Sequence, residues 1–235
     1  MTEITLEAAL EALTALADPV RAAEMAQYHK IERPYLGLGN PQIDALVRDW
    51  RAACSLDGRI TLADGLWQNG SHESMIAAAK LLTQARMRPD DTTAWQVIAG
   101  WAEGFEGWAT ADHACSAGGR RLIADPSRLD HVEGWTTHPN MWTRRAALVM
   151  TLPWARLSNP KPADVEARQR VLRWAEGYLE ETDWFMHKAI GWWLRDLSRH
   201  DPQMTIAWVE AHGDRLKAFA RREAMRHIND KRPSR

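Results

Sequence analysis

Trp108 and Asp112 are of a type and spacing that could do chemistry together. On a helix, positions four apart share a face one turn apart. An indole beside a carboxylate attracts a cation, because the π face and the anion both favour positive charge. The device recurs downstream. Trp142 and Arg145 are three apart, and Lys188 and Trp192 are four apart. Three helices would then each offer an aromatic and a charged group on one face. Singly, each residue has a plainer role: Trp108 as core, Asp112 as a solvated helix residue, Arg145 in an ion pair beside a more exposed Arg144. Trp192 and Trp193 are adjacent, so one can pack inward while the other faces a groove.

Other chemistries lack their signatures. The nine histidines include no His-x-x-x-His pair, and Cys54 and Cys115 have no close partner, so no metal site or cofactor is expected. The thiols fit a reducing compartment as small core residues. No Gly-x-Ser-x-Gly occurs, and Gly37-Leu38-Gly39-Asn40-Pro41 lacks the Lys-Ser/Thr ending of a phosphate loop.

The elements that must hold these residues are helical nearly throughout. Leu6, Leu10 and Leu13 recur at helical spacing, and Asp18-Pro19 reads as an N-cap and first turn. A turn-rich loop follows over 33–41, then a helix from Asn40-Pro41. Further helices are expected near 59–68, 71–86, 91–102 and 105–117, with Gly118-Gly119 as a break. Asn140 caps the next, ending near Pro153. Asp164, Asp183, Asp201-Pro202 and Asp214 open four more, and 231–235 forms a frayed basic tail. No strand or hairpin signal stands out. About twelve helices with short connections in 235 residues read as an all-α chain. The pattern is an α-solenoid of stacked antiparallel helix pairs, one domain over 1–235, with a concave groove.

Charge is unevenly placed. The net charge is −1, yet residues 1–117 hold 9 Lys+Arg against 16 Asp+Glu, and residues 118–235 hold 21 against 15. A basic half can face an anionic polymer. The start of the chain has no basic n-region and no apolar run approaches about 20 residues, so a cytoplasmic, non-membrane location is expected.

At these residues the chain resembles the AlkD-like DNA alkylation repair glycosylases, built of HEAT-like repeats. The likeness runs from about Glu24 to Ile228. Glu24-Met25-Ala26-Gln27-Tyr28-His29-Lys30 with Tyr35-Leu36-Gly37-Leu38 looks like the N-terminal signature. Leu66-Trp67 and Ala77-Ala78-Ala79 look like the next repeat. Trp108-x-x-x-Asp112 matches the family's Trp and catalytic Asp, and Asn140-Met141-Trp142-Thr143-Arg144-Arg145-Ala146-Ala147 its Asn-x-Trp-x-x-Arg-x-Ala segment. Lys188-Ala189-Ile190-Gly191-Trp192 carries the second functional Trp, and Arg222-Glu223-Ala224-Met225-Arg226-His227-Ile228 the C-terminal repeat.

The resemblance implies a monofunctional glycosylase acting in base excision repair. It would remove cationic N3- and N7-alkylpurines from duplex DNA by hydrolysis, reaching the lesion through the backbone while the base stays stacked. Asp112, Trp108, Trp192 and Arg145 would be its catalytic set. Arg144, Arg145, Lys188, Lys30 and Arg222 would bind DNA. The partner would be double-stranded DNA carrying alkylated bases, with the chain a monomer that associates with the nucleoid. Three features depart from the family: Gly107 stands where a second Trp is common, Gln42-Ile43-Asp44 where basic residues are common, and the net charge is near zero. Two other readings fit the same pattern: a non-catalytic binder of distorted or branched DNA, and a helical-repeat scaffold for protein interactions.

Overall fold

The structure, a computed structural model, describes residues 3–229. Among these every regular element is a helix and none is a strand. The basic tail expected over 231–235 lies outside the described residues. Two compact units divide the chain, Met1–Ala124 and Asp125–Arg235.

The first unit begins with α1 (Leu6–Thr14), capped by the Thr5 hydroxyl on Ala8 N, and α2 (Pro19–His29). The Asp18 carboxylate accepts from Val20 N and Arg21 N at 3.0 and 3.1 Å, with Pro19 pre-set at the first turn. Helices α3 (Asn40–Ala53), α4 (Leu56–Asn69), α5 (His72–Leu82), α6 (Thr92–Trp101) and α7 (Trp108–Ala124) follow. Helix α5 is buried on almost every side because α3, α4 and α7 all pack on it. Its run of Ala77, Ala78 and Ala79 lets those neighbours approach closely. Trp67 and Trp101 stack at 4.4 Å and join α4 to α6.

The second unit holds α8 (Leu129–Gly134), α9 (Met141–Met150), α10 (Leu152–Ala155), α11 (Pro162–Gly177), α12 (Trp184–His200), α13 (Pro202–His212), α14 (Ala218–Ala224) and α15 (Arg226–Asn229). Helix α12 is its centre, packed by α9, α10, α13 and α14. Within each unit the packed helices are mostly one to three positions apart in the chain, which is the pattern of stacked helix pairs.

Several boundaries differ from expectation. Gly118 and Gly119 do not break a helix; both lie buried inside α7. Each glycine costs about 1 kcal/mol in a helix interior. Packing offsets it: Leu122 is fully buried, and the fully buried Arg121 binds Asp91 at 2.8 Å and the carbonyls of Gln84 and Ala85. Helix α5 ends at Leu82 rather than 86. Helix α11 starts at Pro162, and Asp164 serves as its third residue, accepting from Lys161 N at 2.9 Å. Asp214 opens no long helix: it lies in a short 3₁₀ turn (Gly213–Arg215), pairs with Arg221 at 3.1 Å, and α14 starts at Ala218.

Candidate functional site

The predicted site residues fall in both units. In the first, the helix that sequence spacing requires is present: Trp108 is the first residue of α7 and Asp112 lies one turn on, both half-buried. Trp108 meets the end of α2. Its ring is 6.2 Å from Tyr28, edge to face, and 5.4 Å from His29. His29 in turn stacks on Tyr35 at 5.9 Å and lies 4.5 Å from His72, which stacks on Tyr35 at 5.0 Å. Five rings from α2, the following loop, α5 and α7 thus form one cluster. Sequence reading placed Tyr28, His29 and Tyr35 in a signature but gave them no role.

Burial dominates the electrostatics of this cluster. It pushes the His72 imidazole down to about 3, helped by His29, Arg33 and His113. His29 is lowered by burial and then Arg33, opposed by Glu73. His113, beside Asp112, is lowered by burial and Lys80, while Asp112 and Asp44 pull the other way. At neutral pH these rings are uncharged.

Gly107 precedes the helix and is buried. A Cβ there would overlap Ile31 Cδ1. Ile31 occupies the direction in which a second indole would leave the backbone, and the rings of Tyr28 and His29 flank Trp108 instead.

In the second unit, Asn140 caps α9 through Trp142 N at 2.9 Å. The Arg145 guanidinium lies 5.7 Å from the Trp142 ring, and its Nε donates to Phe185 O at 3.3 Å. Trp142 packs on Phe185 at 4.9 Å. Arg145 is 2% exposed. Arg144, expected to bind DNA, is half-buried and engaged within the protein. Its Nε and Nη2 grip Glu181 at 2.9 Å each, and Nη1 donates to His138 O and Pro139 O. A bidentate carboxylate pair of this geometry fixes the guanidinium.

On α12, Trp193 is core at 1% exposure and Trp192 is half-buried, the division that adjacent indoles require. Lys188 Nζ stands 4.7 Å over Trp184, and Arg195 lies 6.0 Å over Trp192. Helical side chains lean toward the N terminus, so a cation covers the aromatic three or four residues before it. Trp184, 47% exposed and stacked on Phe219 at 5.3 Å, is a surface aromatic that sequence reading passed over. Lys30 and Arg222 are exposed; Lys30 ends α2 with a left-handed φ of 56°. Among the described residues no group of three or more His, Cys, Asp or Glu could hold a metal ion. Also among them, no helix is long and apolar enough to cross a membrane.

Stacked helix pairs carrying aromatic and charged groups on successive faces define an all-helical repeat protein. The model of the DNA alkylation repair enzyme family matches residues 9–228, and the chain belongs to that family. Solved structures agree on the fold. A predicted DNA alkylation repair enzyme from Enterococcus faecalis is similar at TM-score 0.74 and 20% identity, over 90% of this chain and 96% of that one. AlkD2 from Streptococcus mutans is similar at TM-score 0.56 and 16% identity, over 88% and 97%. The smu.31 protein from Streptococcus mutans UA159 is similar at 0.55 and 14%, over 90% and 97%. No curated protein matches. Membership makes the chain an enzyme of DNA alkylation repair.

Proposed function

We propose that the protein is a DNA glycosylase that hydrolyses the N-glycosidic bond of cationic alkylpurines in duplex DNA. The observation that carries this is Trp108 and Asp112 together in the first turns of α7, in a chain whose family match spans residues 9–228. Alkylation at N3 or N7 makes the purine a cationic leaving group. The C1′–N bond breaks, its electron pair leaves with the base, and the base departs neutral. The deoxyribose then carries oxocarbenium charge. Asp112 stabilises that charge and accepts the proton of the water that adds to C1′, so it acts most strongly in the transition state. Trp108 faces the developing cation with its π cloud, and Trp192 is the second indole to which the resemblance gives this role. Arg145, oriented by Phe185 O and Trp142 and 2% exposed, holds a backbone phosphate once DNA binding uncovers it. Lys188, Lys30 and Arg222 add phosphate contacts, and Arg144 adds one only by releasing Glu181. Water is the nucleophile and no amine is used, so the product is an intact abasic strand.

The test is release of 7-methylguanine from methylated duplex DNA at low salt. The wild type should exceed the spontaneous rate. Asp112→Asn should lose roughly a hundredfold or more while still binding the duplex. Release no faster than the spontaneous rate by the wild type would sink the assignment.

A further inference from the structure

The first unit carries a polar cleft of about 400 Å³ that the proposed chemistry does not use. One face of each of three packed helices lines it. Helix α3 contributes Asp44, Arg48 and Arg51, α5 contributes Lys80, and α7 contributes His113 and Ser116. The α3 residues are spaced at i, i+4 and i+7, so one stripe of that helix faces the cleft. Three permanent cations meet one carboxylate there. This runs against the unit, which has 11 Lys+Arg and 16 Asp+Glu over residues 1–124.

The hydrogen bonding of the cleft is incomplete. Lys80 Nζ is paired with Asp44 at 2.6 Å. Arg51 Nη2 donates to Lys80 O, but Arg51 Nε is buried with no acceptor among the described residues. A buried N–H at a cleft wall without an acceptor calls for an oxygen from outside. Arg48 is exposed and forms no ion pair among the described residues. Two guanidinium forks and an ammonium suit a tetrahedral oxyanion, which Arg binds in bidentate fashion. The cleft is also tied to the reacting helix: the Ser116 hydroxyl donates to Asp112 O at 2.9 Å.

We propose that this cleft seats a backbone phosphodiester of duplex DNA, bound by Arg48 and Arg51, with Lys80 turning from Asp44 to join them. The seat lies on the helix of Asp112, one turn toward its C terminus. It puts the unit's phosphate contacts at Arg48 and Arg51, one and two turns beyond Asp44. The inference rests on the proposed function only for the polymer that supplies the phosphate. Inorganic phosphate offers the same oxygens, and the test separates the two.

Unmodified duplex DNA is titrated by fluorescence anisotropy over a range of salt. Arg48→Gln should weaken binding and reduce the salt slope by about one. Asp44→Asn should tighten binding several-fold, since it removes an anion and releases Lys80. Opposite shifts from neighbouring positions cannot arise from misfolding. The duplex has no lesion, so these shifts are read independently of base release; a chain that fails the 7-methylguanine assay but shows them keeps the seat and loses the chemistry. Inorganic phosphate alone is followed by the His113 ring resonances. If it saturates the cleft while both variants bind DNA as the wild type does, the cleft takes a free anion and the proposal is overturned. Wild-type affinity and slope in both variants, or no binding of duplex by the wild type at low salt, overturn it as well.

Discussion

His72 is surrounded by groups that oppose its protonation. It is 4% exposed, and burial, His29, Arg33 and His113 together hold it at about 3. In the unfolded chain it titrates near 6.5. Between about 3 and 6.5 the unfolded chain therefore binds more protons than the folded one. Its contribution to stability is complete above 6.5 and is lost as pH falls through that window, at up to about 1.4 kcal/mol per pH unit. The urea midpoint should be flat above neutrality and fall below it. His72→Phe should lower stability at high pH through altered packing but make the midpoint less pH-dependent. The comparison belongs above about pH 5, before carboxylates protonate. His29 and His113, lowered by burial as well, leave a residual slope. Identical slopes for variant and wild type would show that His72 protonates freely in the folded state.

The loop between α2 and α3 depends on one carboxylate at the scale of elements. Glu73, 0% exposed in α5, accepts from Leu36 N, Gly37 N and Leu38 N at 2.9, 2.8 and 3.2 Å. Gly37 makes this possible with φ of 83°, and a Cβ there would overlap Asp18 O. The carboxylate thereby fixes the loop that carries Tyr35 against His29 and His72. Glu73→Ala should cost about 3 kcal/mol or more, because three N–H groups lose a charged acceptor. Glu73→Gln, which keeps one oxygen, should cost less. Chemical denaturation measures both, and a loss of only a few tenths for the alanine would remove the loop anchor. None of this was legible in the sequence, since the acceptor is 35 to 37 positions from its donors. What was legible is local. Asp18, Asn140, Asp183 and Asp201 each cap the helix expected of them, because an N-cap needs only a side chain and the next two or three N–H groups. Where a tertiary partner decides, local reading fails. Arg121, held by Asp91 thirty positions away, carries α7 through two glycines. At the site, the Trp108–Asp112 spacing was readable because both residues share one helix. The rings that flank Trp108 come from elsewhere in the chain and were not.

Across the whole molecule, 30 Lys+Arg stand against 31 Asp+Glu, and internal ion pairs occupy many of the cations. Arg144 serves Glu181, Arg170 serves Asp130 and Glu133, Arg195 serves Asp196 and Glu223, and Arg215 serves Glu180. These arginines are engaged by internal carboxylates, and each must give up such a partner before it can serve a phosphate. The number of phosphates neutralised should therefore be small, about four or five, and affinity should fall roughly a hundred- to five-hundredfold between 50 and 200 mM salt. A fall of a thousandfold or more would mean that these ion pairs open on DNA. Chemistry and affinity then separate in a measurable way. Salt acts on the exposed phosphate contacts, whereas Asp112 and Trp108 are half-buried and act on charge that forms only as the glycosidic bond breaks. In single-turnover base release, added salt should raise the half-saturating protein concentration and leave the rate at saturation nearly unchanged. A saturated rate that falls in step with affinity would show that the phosphate contacts also position the sugar, and that Asp112 depends on them for its alignment.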